Sequence, residues 1–190
     1  MINLKKDVLK AALITAPKRD IRYYLNAVFL RVAESGKVYI ASTDGHRLFI
    51  ANVKADWTGE AQPAFDLIIP RAAVDSAVKT GGNSITLSQL PDGRYTLGDA
   101  VFARVDGRYP NINAIIPSAT SGELAQFNPD YVADAQKALC LVCGRKNTDL
   151  PFLLHHNGTG AAYMSCGDAF VVIMPVRSDK CDDFATFKAE

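Results

Sequence analysis

Long apolar runs, a cysteine framework and an excess of charge are all missing from this 190-residue chain. Although 48% of its residues are apolar, no uninterrupted stretch approaches the ~20 residues that cross a bilayer. The opening segment MINLKKDVLKAAL puts Lys5, Lys6 and Asp7 where a signal peptide needs its apolar region, so secretion is not expected. The net charge of +1 excludes a polybasic nucleic-acid binder, and any basic surface must be local. Four cysteines are too few to staple a chain of this length, so a reduced, cytoplasmic setting is expected. Cys140 and Cys143 have metal-ligand spacing, and His155, His156 or Cys166 could complete a zinc set. No second CxxC or HxxxH follows, so the plainer expectation is no metal, with both thiols packed as small apolar groups at a helix end.

What is present is a pattern used three times. A strand at residues 2–4 leads to a helix at 5–16, where Val8, Leu9, Ala12, Leu13 and Ala16 form one stripe. Strands are expected at 23–32, 37–42 and 48–53. A second round runs through a strand at 64–69, a helix at 71–79 opened by Pro70 and closed by Gly81-Gly82, and strands at 84–90, 94–97 and 100–105. After a linker at 117–121, a third round begins with a strand at 122–127. Asn128 and Pro129 then open a helix reaching about Leu139, and strands follow at 152–156, 161–165 and 170–175. The corners Thr43-Asp44-Gly45, Gly98-Asp99 and Cys166-Gly167-Asp168 each precede the last strand of a round. Self-similarity at about sixty residues implies a βαβββ unit repeated three times, in an α+β fold with antiparallel sheets on one side and helices on the other. Two units would form a domain over residues 1–117, and residues 122–177 would form a single half-domain. The third unit would then lack a partner, leaving an edge for another chain or for the tail 178–190 to cover; self-association is the expectation.

The stretch 22–50 carries the most chemistry. It reads as an aromatic strand, a second strand and a tight corner, Thr43-Asp44-Gly45-His46-Arg47, that returns into Leu48, Phe49 and Ile50. Polar groups at the rim of an apolar strand suit a docking surface. Catalysis is not expected. Ser42, Asp44 and His46 are close in sequence, but neighbours along a strand alternate faces and do not form a relay. No P-loop, dinucleotide fingerprint or metalloprotease helix is present.

Four motifs occur in an order that resembles the bacterial sliding clamp, the beta subunit of DNA polymerase III. They are Asp20-Ile-Arg-Tyr-Tyr-Leu-Asn26, Ser42-Thr-Asp-Gly-His-Arg-Leu48, Asp106-Gly-Arg-Tyr-Pro110 and Phe170-Val-Val-Ile-Met-Pro-Val-Arg177. Residues 1 to about 117 resemble the clamp's middle domain. Residues 122–177, with Phe127-Asn-Pro-Asp-Tyr131, resemble the second half of its last domain, so the resemblance is to a shortened clamp. It implies a non-enzymatic processivity factor, working without a cofactor, that encircles duplex DNA and receives short linear peptides of polymerases or repair factors in a pocket between domains. Carried over by motif, that pocket would use Arg22, Tyr24, Leu25, Thr43, Gly45, His46, Arg47, Leu48, Pro110 and Ile115. The last unit would add Asn128, Tyr131, Val172, Ile173, Met174, Pro175, Val176 and Arg177. Leu25, Leu48, Ile115, Val172 and Met174 would give an apolar, adaptable floor. Thr43, His46, Asn128 and Arg177 would offer hydrogen bonds. The alternative for Leu25 and Val172 is that they simply fill the core, and for His46 that it is a capped turn residue.

The chain departs from the pattern as well. Ala114 stands where the family usually carries a basic residue, and Val176 stands in place of a methionine. The tail 178–190 extends past the family's usual end; its Phe184 and Phe187 weakly resemble the aromatic end of a clamp-binding peptide, though a flexible tail is expected. A clamp also needs basic helices that meet phosphates without reading bases. Lys5, Lys6 and Lys10, then Lys18 and Arg19, then Arg71 and Lys79 are the candidates, while Asp75, Asp130 and Asp134 dilute the later helices. Sequence-nonspecific duplex binding by a homo-oligomer is the expectation, weak and salt-sensitive. The alternative is a peptide-binding module, or clamp decoy, that never surrounds DNA.

Overall fold

A computed structural model describes residues 1–53, 56–57, 63–146, 149 and 151–176. The first unit is β1 (Ile2–Lys5), α1 (Lys6–Thr15), β2 (Ala27–Val32), β3 (Val38–Thr43) and β4 (Arg47–Val53), followed by the short β5 (Asp56–Trp57). The second is β6 (Phe65–Pro70), α2 (Arg71–Ala77), β7 (Ser84–Gln89), β8 (Tyr95–Leu97) and β9 (Ala100–Phe102). The third is reduced to α3 (Pro129–Cys143), β10 (Ala162–Cys166) and β11 (Ala169–Ile173). The expected strand at 122–127 is not formed, and the one at 152–156 survives only as a bridge between His155 and Tyr163.

The first two units exchange their leading strands. β1 pairs antiparallel with β7, Lys5 opposite Ser84, while β6 pairs antiparallel with β2, Pro70 opposite Ala27. The result is one sheet ordered β5-β1-β7-β8-β9 and another ordered β10-β11-β4-β3-β2-β6. The helices are exchanged in the same spirit. Arg71, first residue of α2, donates from Nη1 to the carbonyls of Leu13 and Ala16 at the end of α1. Lys6, first residue of α1, donates from Nζ to the carbonyl of Thr80 just past α2. Each helix end, with its unpaired carbonyls, is thus closed by a cation from the opposite unit. α3 opens instead on Asn128, whose Oδ1 accepts from the Asp130 amide, and closes on Gly144 at φ 65°.

Alternation along the strands sets two apolar layers. Val28, Leu30, Ile40, Phe49, Ala51, Val171 and Ile173 face the three helices in the main core. Phe29, Ala41, Leu48, Ile50 and Val172 face the opposite way, where Tyr109 and Ile112 from the segment after β9 cover them. The third unit joins the first through its last strand. β11 pairs with β4 from Ala169–Ala51 to Ile173–Arg47, extending the larger sheet. The apolar run 169–173 is what a strand buried on both faces requires. The thiols also differ from expectation. Cys143 is bonded to Cys166, tying the last residue of α3 to the end of β10, while Cys140 is buried and free. The fold brings the two sulfurs together across 23 residues, which a single sequence does not reveal. Among the described residues no helix is long and apolar enough to cross a membrane, and no cluster of metal-ligating side chains occurs.

Candidate functional site

The corner between β3 and β4 is built by local hydrogen bonds. Thr43 Oγ1 donates to the Arg47 carbonyl at 2.7 Å and accepts from the Gly45 amide at 3.1 Å. Asp44 Oδ1 accepts from the amides of His46 and Arg47 at 2.9 and 3.0 Å, an Asx-type turn. Gly45 takes φ 92°, a conformation that favours glycine, and the Arg22 guanidinium lies 2.9 Å from where a Cβ would stand. Arg22 holds the corner from outside. Its Nη2 donates to the Asp44 carbonyl at 3.0 Å and to Asp20 Oδ2 at 2.8 Å. The hydrogen bonds from Arg22 bring the Asp20 carboxyl down to about 2. Tyr109, buried and stacked on Phe29 at 4.7 Å, accepts the Thr43 amide with its hydroxyl. Burial raises the pKa of that phenol well above its ordinary value, keeping it neutral.

Parity along β4 sends Arg47 toward the helices and Leu48 the other way. Arg47 donates to Asp44 Oδ2 at 2.9 Å and to Asp134 Oδ2 at 2.6 Å on α3, and its guanidinium lies 4.6 Å from the Tyr131 ring centre. Burial works against charge on both Arg47 and Asp134, yet their hydrogen bonds outweigh it, raising the arginine and lowering the carboxyl. The His46 ring stacks near Tyr131 with centres 6.2 Å apart. From the far end of the chain, Met174 donates its amide to the His46 carbonyl at 2.8 Å, and Val176 donates to the Gln126 carbonyl at 2.8 Å. Residues 43–48, the start of α3 and the strand exit at 174–176 therefore meet at one place.

The residues carried over by motif divide into several roles there. Gly45, His46, Arg22, Met174 and Val176 are exposed, with Met174 at 38% and Val176 at 48%; Tyr24, Arg47, Ile115, Tyr131 and Pro175 are half-buried. Leu25, Leu48 and Val172, each 1% exposed, pack beneath with Thr43 as core, and Ile115 joins their cluster. Ile173 faces the helices and belongs to the main core. Asn128 spends its side chain capping α3. Pro110 lies apart, lining a cleft of about 560 Å³ with Phe29, Arg31, Asp66, Arg104 and Arg108. Arg177 and the tail, including Phe184, Phe187 and Cys181, lie outside the described residues. Asp20, Tyr109, Asp134 and Gln126 join the corner without having been assigned to it from sequence. Asp20 and Tyr109 lie within the quoted motifs, and Asp134 lies one helical turn from Tyr131 on the same face.

The basic residues are not gathered into one free surface. Lys6 and Arg71 close helix ends, Lys10 lies 3.3 Å from Asp7, and Arg71 also lies 3.4 Å from Asp75. Lys5, Lys18, Arg19 and Lys79 are exposed.

Paired βαβββ units with exchanged leading strands and helices on one side define the fold of the sliding-clamp class of replication proteins. Residues 3–111, more than half of the chain, match the family described as DNA polymerase III beta subunit, central domain, and the chain belongs to that family. It is 29% identical over 118 residues to the beta sliding clamp of Escherichia coli (strain K12), covering 59% of this chain and 31% of that protein. The chain thus spans about a third of the length of that curated relative. The structure of the DNA polymerase sliding clamp from Pseudomonas aeruginosa with ligand shares the fold. Its TM-score is 0.71 at 15% identity, over 93% of this chain and 66% of the other. The Helicobacter pylori beta clamp bound to a DNA ligase peptide gives 0.66 at 12% identity, over 93% and 66% of the two chains.

Proposed function

We propose that the chain is a shortened sliding-clamp-like platform, non-enzymatic and cytoplasmic, that receives short linear peptides of polymerases or repair factors. The observation that carries this reading is the convergence of residues 43–48, Tyr131 and residues 174–176, tied by the bond from the Met174 amide to His46. The exposed thioether of Met174 offers an adaptable apolar contact beside an imidazole and a fixed cation, a combination suited to varied peptides. A related clamp has been solved with a DNA ligase peptide. Leu25, Leu48 and Val172 lie buried beneath the corner rather than lining an open floor. In fluorescence polarisation, a labelled clamp-binding peptide binds the wild type and loses at least about tenfold in affinity, ~1.4 kcal/mol, with His46→Ala plus Met174→Ala. Equal affinity in the folded double variant contradicts the site.

Sequence-nonspecific tethering to duplex DNA by a homo-oligomer is the wider role the family suggests. The engagement of Lys6, Lys10 and Arg71 within the chain favours the narrower reading, a peptide-binding module or clamp decoy that does not encircle DNA.

A further inference from the structure

The two complete units show what a unit's edges accept. In each, the residue just before the helix stands opposite the first residue of the other unit's post-helix strand: Lys5 opposite Ser84, and Pro70 opposite Ala27. This register sets apolar residues opposite one another on the inner face, Leu4 with Ile85 and Ile2 with Leu87, Ile69 with Val28 and Leu67 with Leu30. All eight are buried in the main core.

The third unit carries the same parts without the exchange. In the first unit Arg31 pairs with Tyr39, in the second Ser88 pairs with Thr96, and in the third His155 faces Tyr163, which shares the outer layer with Tyr39. Those pairings make position 151 the equivalent of Ala27 and Ser84, while Asn128 is the equivalent of Lys5 and Pro70. Moving the register across sets Phe127 opposite Phe152 and Ala125 opposite Leu154, again apolar on the inner face. Here, however, Phe127, Phe152 and Leu154 are only partly buried against the core, and Leu124 and Leu153 are 84% and 72% exposed. Among the described residues the amides of Leu124–Phe127 donate no backbone hydrogen bond. Instead the segment turns back on its own unit, the Gly122 amide donating to the His156 carbonyl at 3.1 Å and the Gly158 amide to Glu123 at 2.9 Å. One edge of the segment is already occupied as in the first unit. Val176 bonds to Gln126 just as β5, the strand following β4, pairs with β1.

We infer that two copies of this chain join through their third units by exchanging leading strands, residues 122–127 of each pairing with residues 152–156 of the other. The inference rests on the self-association expected from the unpaired third unit and gives it an interface; peptide binding does not depend on it. The occupant is a second copy because this chain's own segments 122–127 and 152–156 supply the length, register and inner-face residues that the exchange needs. Reciprocal exchange satisfies both edges with one two-fold axis.

Gln126 and Leu153 fall opposite one another in this register, on the outer face, and both are exposed in the single chain. Cross-strand neighbours lie about 5 Å apart between Cα atoms, within disulfide reach. In a Cys181→Ser background, Gln126→Cys and Leu153→Cys chains carrying different tags are co-expressed and oxidised. A mixed-tag covalent dimer is expected, with little or none from either variant alone. A wild-type dimer by light scattering without that cross-link puts the interface elsewhere and overturns the exchange while leaving self-association standing. A monomer at every concentration overturns both, and equal cross-linking in the single-variant samples marks random collision and also overturns the exchange.

Discussion

Arg47 shows how one side chain joins three parts of the chain. It reaches Asp44 in its own corner, Asp134 on α3 and the face of Tyr131, while its backbone amide closes the turn on Asp44. Its side chain is largely withdrawn from water, so removing it strands two carboxylates with reduced solvation. Arg47→Ala is expected to lower stability by ~1–3 kcal/mol in urea denaturation. Arg47→Lys restores only part of this because an ammonium lacks the planar fork that reaches Asp44 from Nε and Asp134 from Nη1 while lying over Tyr131. A loss under ~0.5 kcal/mol for Arg47→Ala contradicts the assignment, since that is the range of an inconsequential surface change. The corner itself was legible in the sequence because its turn chemistry is local: Asp44 and Gly45 dictate the turn whatever surrounds it. Asp134 and Tyr109 were not, since their partners lie 87 and 66 residues away.

At the scale of elements, the repeat was legible because strand and helix periodicities recur with matched corners. Register decided by tertiary pairing was not. The segment 122–127 has strand-like alternation, but a leading strand needs another unit's post-helix strand, and none is described beside it. The joining of β11 to β4 and the bonding of Cys143 to Cys166 are likewise properties of the assembled sheet. That bond closes a loop of 23 residues between α3 and β10. Loop-closure entropy predicts that Cys143→Ser costs ~3 kcal/mol. Thermal or urea unfolding of the oxidised protein against the variant measures this. Indistinguishable curves contradict a stabilising bridge.

For the molecule as a whole, the helix layer carries fewer free cations than its lysine and arginine content suggests. The reciprocal closure of α1 and α2 uses Lys6 and Arg71, and α3 presents Asp130 and Asp134. Mobility shifts are therefore expected to show duplex binding only at low salt, vanishing by about 0.2 M, as few phosphate contacts are available. Tight binding that persists at that salt contradicts this account of the helix layer. The central claim is the proposed peptide site at residues 43–48, Tyr131 and residues 174–176, and it is tested most directly by mapping amide NMR shifts during titration with a clamp-binding peptide. The account predicts saturable shifts centred on His46, Tyr131 and Met174. Shifts centred instead on the cleft of Arg31, Asp66 and Arg108, or no saturable shift at millimolar peptide, contradict it.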